Sequence, residues 1–254
     1  MKRILAIAGR ELEAYFATAI GWLVLGGFIL LTGFIFAWIT TAYADQSAQA
    51  AMSPYGGGLN VNEHLLPDFF GTTSVILLLL TPALSMRLFS EDLKQRSMEL
   101  LLSSPLSSLE IVLGKYLGAL GFLGVMLLST AHYMAILWWV SSPDPMIVLA
   151  NYAGTFLMAA AFISVGLLTS AMTKSQLIAL SLSFGTLMML WFLSGIGSLV
   201  TGTAGEVLSY LSVLSHIEEL SRGLLHTQDL AYYLTFIGFF LFATLQRVEA
   251  MRWQ

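Results

Sequence analysis

Charge is confined to a few short stretches of this 254-residue chain, and the runs between them are apolar and long. An apolar run of about 20 residues is enough to cross the ~30 Å hydrocarbon core of a bilayer as a helix. Inside that core every backbone N–H and C=O must be satisfied within the chain, so such runs fold as α-helices unless they close a barrel. With 57% hydrophobic and only 10% charged residues, the composition is that of an integral membrane protein rather than a soluble domain. Six spans are predicted: 21–43, 68–89, 111–140, 146–172, a fifth from after Ser175 to about 200, and 230–245. The expected fold is therefore all-α with six transmembrane helices and an N-terminal interfacial helix, one transmembrane domain over residues 1–254 that leaves little for a separate soluble domain. The chain has no Cys, which removes thiol chemistry and disulfides.

The stretches between the spans carry their own signals. Residues 1–17 place Ile4, Leu5, Ala8, Leu12, Tyr15 and Phe16 on one stripe, opposite Lys2, Arg3, Arg10 and Glu13. This predicts an amphipathic helix in the membrane interface. A cleaved signal peptide fits less well, because Arg10, Glu11 and Glu13 interrupt the place where its apolar core should begin. Residues 45–67 are expected to form a loop, with Pro54 and Gly56-Gly57-Gly58 marking irregular chain. Ser141-Ser142-Pro143-Asp144-Pro145 is expected to turn tightly into the fourth span.

An even number of spans puts both termini on one side, and the basic residues say which. Lys2, Arg3, Arg10, Arg87, Lys94, Arg96, Lys115, Lys174, Arg247 and Arg252 all fall at the termini or in the second and fourth connections. Only Arg222 falls on the other side, within helical reach of Glu218 and Glu219. An excess of Lys and Arg marks cytoplasmic segments, so both termini are expected in the cytoplasm.

The second connection is the most informative. Ser90 is a good N-cap, and Glu91 and Asp92 follow in the first turn, where carboxylates complement the positive end of a helix. A helix over 90–104 is predicted there, with Asp92–Arg96 and Arg96–Glu99 at ion-pair spacing and Leu93, Leu100 and Leu101 as an apolar docking side. Pro105 ends it, and Ser107 with Glu110 is a capping-box pattern for the next helix. A bare solvated linker would need neither caps nor a docking side.

This stretch carries a resemblance. Glu91-Asp92 and the basic residues after it, then Met98-Glu99-Leu100-Leu101-Leu102-Ser103-Ser104-Pro105-Leu106-Ser107 and Glu110-Ile111-Val112-Leu113-Gly114-Lys115, resemble the cytoplasmic coupling-helix region of ABC-2 type permeases. The gliding-motility type permease is the most similar of these, with the permease of nitrous-oxide reductase maturation more distant. Those permeases commonly have Gly-Thr before the glutamate, where this chain has Ser97-Met98. The resemblance implies two paired membrane subunits, identical or paralogous, above two cytoplasmic ABC ATPase subunits that hold the ATP and Mg. No cofactor is then expected on this chain. It implies Glu91, Asp92, Arg96 and Glu99 as the ATPase-facing residues. Membrane lipid and an extracytoplasmic accessory protein complete the expected partners, and nucleic acid is not among them.

Residues 201–229 are expected to form an extracytoplasmic segment in which Ser215 and Glu218 make a second capping box, with Arg222 on the same helix. A helix dipping partway into the membrane fits this pattern, and an amphipathic surface helix without a gating role is the plainer alternative. Gly114, Gly118 and Gly121 make a small-residue track on the third span, suited to close helix packing within the chain or between subunits.

Other chemistry is excluded or disfavoured. Gly114-Lys115 is not a nucleotide-binding loop, because Leu109 stands where its first glycine would be and Tyr116 where Ser or Thr would hold magnesium. The chain is therefore expected not to be an enzyme, with ATP hydrolysis on a partner. His64, His216 and His226 show no metal-ligand spacing with the nearby glutamates. A secondary transporter would place ionisable groups within its spans, and His132 is the one clear candidate, more simply read as a packed residue. A subunit that transmits force or anchors an ATPase-driven envelope machine without moving solute is the alternative from a different class.

Overall fold

The computed structural model describes residues 1–52, 59–98, 101, 106–200, 202–213, 215–216 and 227–252. Ten helices have their bounds among them: α1 (Lys2–Ala17), α2 (Ala19–Met52), α3 (Leu65–Ser85), α4 (Arg87–Gln95), α5 (Ser108–Ser129), α6 (Ala131–Val140), α7 (Pro145–Met172), α8 (Gln176–Leu199), α9 (Thr203–Leu211) and α10 (Thr227–Arg252). No strand occurs among the described residues. Among the described residues six helical stretches are long and apolar enough to cross a membrane: α2, α3 with α4, α5 with α6, α7, α8 and α10. The all-α, six-span architecture expected from the sequence is the one observed.

α2 is longer than predicted, running through Ala44 to Met52, where a loop was expected from residue 45. The run Asp45-Gln46-Ser47-Ala48-Gln49-Ala50-Ala51 is polar enough to leave the bilayer, but its alanines and glutamines favour a helix. The 34 residues of α2 rise about 51 Å, well beyond the ~30 Å of hydrocarbon.

The second span bends where α3 gives way to α4. Pro82 lies inside α3, and the bend falls at Met86, whose N–H still reaches the Pro82 carbonyl at 2.9 Å. Ser90 does not cap α4, contrary to the sequence expectation. It is fully buried inside the helix, and its hydroxyl donates back to the Met86 carbonyl. Ser170 of α7 supplies the cap instead. Its hydroxyl accepts from the Phe89 and Ser90 N–H groups at 2.9 and 3.0 Å and donates to the Met86 carbonyl at 2.8 Å. Ser170 thus ties α7 to the backbone where α3 gives way to α4. α7 approaches closely enough because Gly166 has no side chain: a Cβ there would lie 1.7 Å from Ser85 Oγ and 2.4 Å from Ser85 Cβ.

The third span is also broken, into α5 and α6 at Thr130. The Ser129 and Thr130 hydroxyls donate to the Met126 and Leu127 carbonyls at 2.6 and 2.7 Å, and the Thr130 N–H also turns to Leu127, tightening the chain there. α7 is the central helix, packed against α3, α4, α5, α8 and α10. Around it Phe89, Phe122, Phe162, Ile163 and Leu167 are completely buried. A second cluster at the opposite end joins Phe36, Phe69, Phe70 and Tyr133 in stacked and edge-on ring contacts. By contrast α8 and α10 bury little of their apolar windows, 17% and 11%. Their apolar faces are left for lipid or another subunit.

Candidate coupling site

α1 runs beside the first half of α5 in the same direction. Ile4 and Ile7 lie against Gly114, Ala8 and Glu11 against Gly118, Leu12 against Gly121, and the Tyr15 ring stacks on Phe122 at 4.6 Å. A Cβ on Gly118 would stand 2.6 Å from Glu11 Cβ and 2.9 Å from the Ala8 carbonyl oxygen. The glycine track thus meets a helix of its own chain. Part of the apolar stripe on α1 that the sequence assigns to the bilayer interface is spent on α5, while Leu5 stays exposed.

The far end of α1 grips the bend in the second span. Tyr15 donates to the Leu84 carbonyl at 2.8 Å, Arg87 lies 4.2 Å over the Tyr15 ring, and Arg87 donates to Thr18 Oγ1 at 2.8 Å. Burial pushes the Tyr15 hydroxyl well above its usual range, with Arg87 opposing, so it stays a donor.

At the centre of the site is a chain of alternating charge. Arg10 and Glu11 approach to 3.3 Å, Lys115 donates to Glu11 Oε1 at 2.7 Å, and Lys115 Nζ also lies 2.7 Å from Asp92 Oδ2. Lys115 is 2% exposed and faces the Phe89 ring at 5.4 Å. Ser97 completes the Asp92 shell, donating to Oδ1 at 2.8 Å. The Asp92–Arg96 pair read from helical spacing is replaced by Asp92–Lys115, because α4 stops at Gln95 and Arg96 takes a left-handed backbone, φ 57°. The predicted single helix over 90–104 therefore begins earlier, at Arg87, and is interrupted at Arg96.

Of the four residues proposed to face a partner, Arg96 is exposed and Glu91 half-buried, accepting from Gln95 at 3.2 Å. Asp92 is turned inward, and Glu99 lies outside the described residues. Beyond the island the Ser107–Glu110 capping box forms in both directions: Glu110 N–H to Ser107 Oγ at 3.2 Å, and Ser107 N–H to Glu110 Oε2 at 2.9 Å. Arg3 approaches Glu110 at 3.9 Å, and Arg252 of α10 donates to the Leu106 carbonyl. A groove of about 270 Å³ between α1 and this segment is lined by Arg3, Ala6, Ile7, Arg10, Leu101 and Leu106.

At the other end, α9 folds back along α8, the two meeting at Gly197 and Gly205, and Ser212 reaches the Trp191 carbonyl at 3.2 Å. Ser215 donates to the Ser209 and Ser212 carbonyls, both at 2.8 Å. Glu218 and Arg222 lie outside the described residues, so the second capping box has no structural counterpart to describe. His216, stacked on Tyr232 at 4.0 Å, links the Tyr210 carbonyl at 3.0 Å to the buried Asp229 carboxylate at 2.5 Å.

Sequence reasoning named His132 as the one clear ionisable group within the spans. His132 is exposed, with Nδ1 at 2.5 Å from the Ser129 carbonyl. Among the described residues the buried Arg, Lys, His, Asp and Glu side chains are Arg87, Lys115, His216 and Asp229. In the sequence Lys115 reads as one of the cytoplasmic-side cations and as no phosphate ligand, and nothing local marks Glu11 or Asp92 as its partner. Among the described residues no three His, Asp or Glu side chains are grouped to hold a metal ion.

Residues 6–246 match the family model described as ABC-2 family transporter protein. No curated protein matches the chain.

Proposed function

The chain belongs to the ABC-2 transporter family as a membrane permease component, and from that premise we propose that it forms a translocation pathway with a second permease subunit and is driven by a separate cytoplasmic ABC ATPase. The observation that carries this reading is α4. It leaves the second span as a short helix, is pinned to α1 through Arg87, to α5 through Asp92 and to α7 through Ser170, and presents Lys94, Gln95 and Arg96 to solvent. A rigidly seated helix with an exposed charged tip is suited to receive a partner's movement, whereas a loop would absorb it.

The ATPase-facing set becomes Glu91 and Arg96, with Lys94 added and Asp92 reassigned to the inside; Glu99 remains in the set by resemblance. The distribution of Lys and Arg supports cytoplasmic termini, and the resemblance to gliding-motility type permeases supports a bacterial inner membrane. The exposed apolar faces of α2, α8 and α10 suit lipid and the second subunit. The return of α9 along α8 supports the re-entrant outer segment, open to an extracytoplasmic accessory protein. Within the family, the resemblance of the island favours the gliding-motility type.

The test is purification of the tagged chain from its native membrane. Co-purification of an ABC ATPase whose hydrolysis rises on reconstitution with this chain is the expected result. A chain isolated without any ATPase would overturn the reading. A complex that hydrolyses ATP and tethers an envelope component without moving solute would assign it to the force-transmitting alternative.

A further inference from the structure

We infer that Lys115 is a positioning residue that clamps α4 and α1 to α5, so that a displacement imposed on α4 is carried into the other two helices as one body. The inference deepens the docking role proposed above and rests on it for its function.

The geometry is specific. Lys115 Nζ donates to Glu11 of α1, lies 2.7 Å from Asp92 Oδ2 of α4 and stands 5.4 Å from the centre of the Phe89 ring. The two carboxylates come from helices remote in sequence, and the cation stands on a third. Arg10 at the outer end balances the second carboxylate, so the row Arg10, Glu11, Lys115, Asp92 is neutral as a whole. At 2% exposure the central cation is shielded from salt and water, where Coulombic attraction is stronger than at a surface. Gly118, three residues on and on the same side of α5, lets Glu11 come close enough to reach it.

Packing and clamping make different predictions. If the charges served only to fill space, neutral groups of similar shape would serve as well, since a complete buried ion network can often be replaced without loss of stability. A clamp needs each contact separately: Asp92 holds α4, and Glu11 holds α1.

The chain without native Cys allows spin labels at Glu13→Cys on α1, Gln95→Cys on α4 and Leu128→Cys on α5, taken in pairs, in lipid nanodiscs. The unmodified network is expected to give narrow α1–α5 and α4–α5 distance distributions. Asp92→Asn should lose the narrow α4–α5 peak and keep the α1–α5 peak, and Glu11→Gln should do the reverse. The triple variant Glu11→Gln/Lys115→Met/Asp92→Asn, which removes the three inner charges together and leaves only the exposed Arg10, should lose both. In the complex with its ATPase, trapping with ATP and vanadate should move α1 and α4 together in the unmodified chain and only α4 in the triple variant. Unchanged distributions in Asp92→Asn and Glu11→Gln would overturn the clamp, whether or not the triple variant folds. Failure of any ATPase to bind the unmodified chain would overturn the docking role alone, because the distances in the isolated chain decide the clamp.

Discussion

The Lys115 ammonium lies 2.7 Å from the Asp92 carboxylate, joining the helix that ends the second span to the one that begins the third. Asp92 is thereby a structural residue of a docking element, and its charge is used inside the protein. Removing the cation alone leaves Glu11 and Asp92 facing each other without it. Breaking a buried pair by deleting one partner costs about 3–5 kcal/mol. Lys115→Met should therefore lose roughly that much stability on unfolding in detergent, and adding Glu11→Gln and Asp92→Asn should recover most of it. A single variant as stable as the parent would remove the ion network from the account of this site.

Gly166→Ala tests the bend in the second span. The added Cβ would sit 2.4 Å from Ser85 Cβ, a contact that no side-chain rotation relieves. Overpacking of this kind costs about 1–3 kcal/mol, and the helices should separate, reducing the yield of folded protein. Ser85→Gly in the same chain should restore part of it. Gly26→Ala, where nothing lies within 4 Å of the new carbon, should be neutral or slightly stabilising. Equal behaviour of Gly166→Ala and Gly26→Ala would contradict the close approach of α3 and α7.

Ser170→Ala removes the acceptor for the Phe89 and Ser90 N–H groups. Donors left unsatisfied in a buried site cost about 1–3 kcal/mol. Hydrogen exchange at Phe89 and Ser90 should accelerate, while α7 itself stays protected because Ser170 contributes only its hydroxyl. Unchanged protection of Phe89 and Ser90 would show that the bend is held by packing alone.

The spans were legible because a bilayer imposes a length and a polarity on every segment within it, and the Ser107–Glu110 capping box was legible because both partners lie within one turn. What the sequence concealed is what depends on tertiary partners. Ser90 has the chemistry of a cap, but the cap comes from Ser170, 80 residues away. Asp92 has Arg96 at helical spacing, yet the left-handed backbone at Arg96 ends the helix and Lys115 takes the carboxylate. His216 and Asp229 each look like ordinary polar residues of an outer segment until Tyr210 and Tyr232 enclose the imidazole. Local pattern locates elements, and long-range partners decide which face of an element is free to act.

Orientation has a direct test. Ser142 and Gln95 are both exposed, at opposite ends of the third span and the bend that precedes it. Cytoplasmic termini predict that Ser142→Cys is labelled in sealed cells by a membrane-impermeant thiol reagent, and that Gln95→Cys is labelled only after lysis. The reverse pattern would invert the topology and move the docking element out of reach of a cytoplasmic ATPase.

Arg96 offers the sharpest separation of docking from folding. Its backbone is left-handed, which costs an L-residue with a β-carbon roughly 1–2 kcal/mol and glycine almost nothing. Its side chain is exposed, so any surface ion pair it makes within the chain contributes only about 0–1 kcal/mol. Arg96→Gly should thus leave the unfolding midpoint unchanged or raise it, an uncommon case in which deleting a large side chain carries no stability penalty. If α4 and its tip receive the ATPase, the same substitution should weaken retention of the partner during purification and make what remains more sensitive to salt, because exposed charges at an interface govern encounter and partner choice. Arg96→Lys, which keeps the charge but not the planar guanidinium, should retain intermediate binding. An Arg96→Gly chain that folds, binds the ATPase as the parent does and shows the parent's salt dependence would exclude Arg96 from the interface and leave Glu91 and Lys94 to carry the docking.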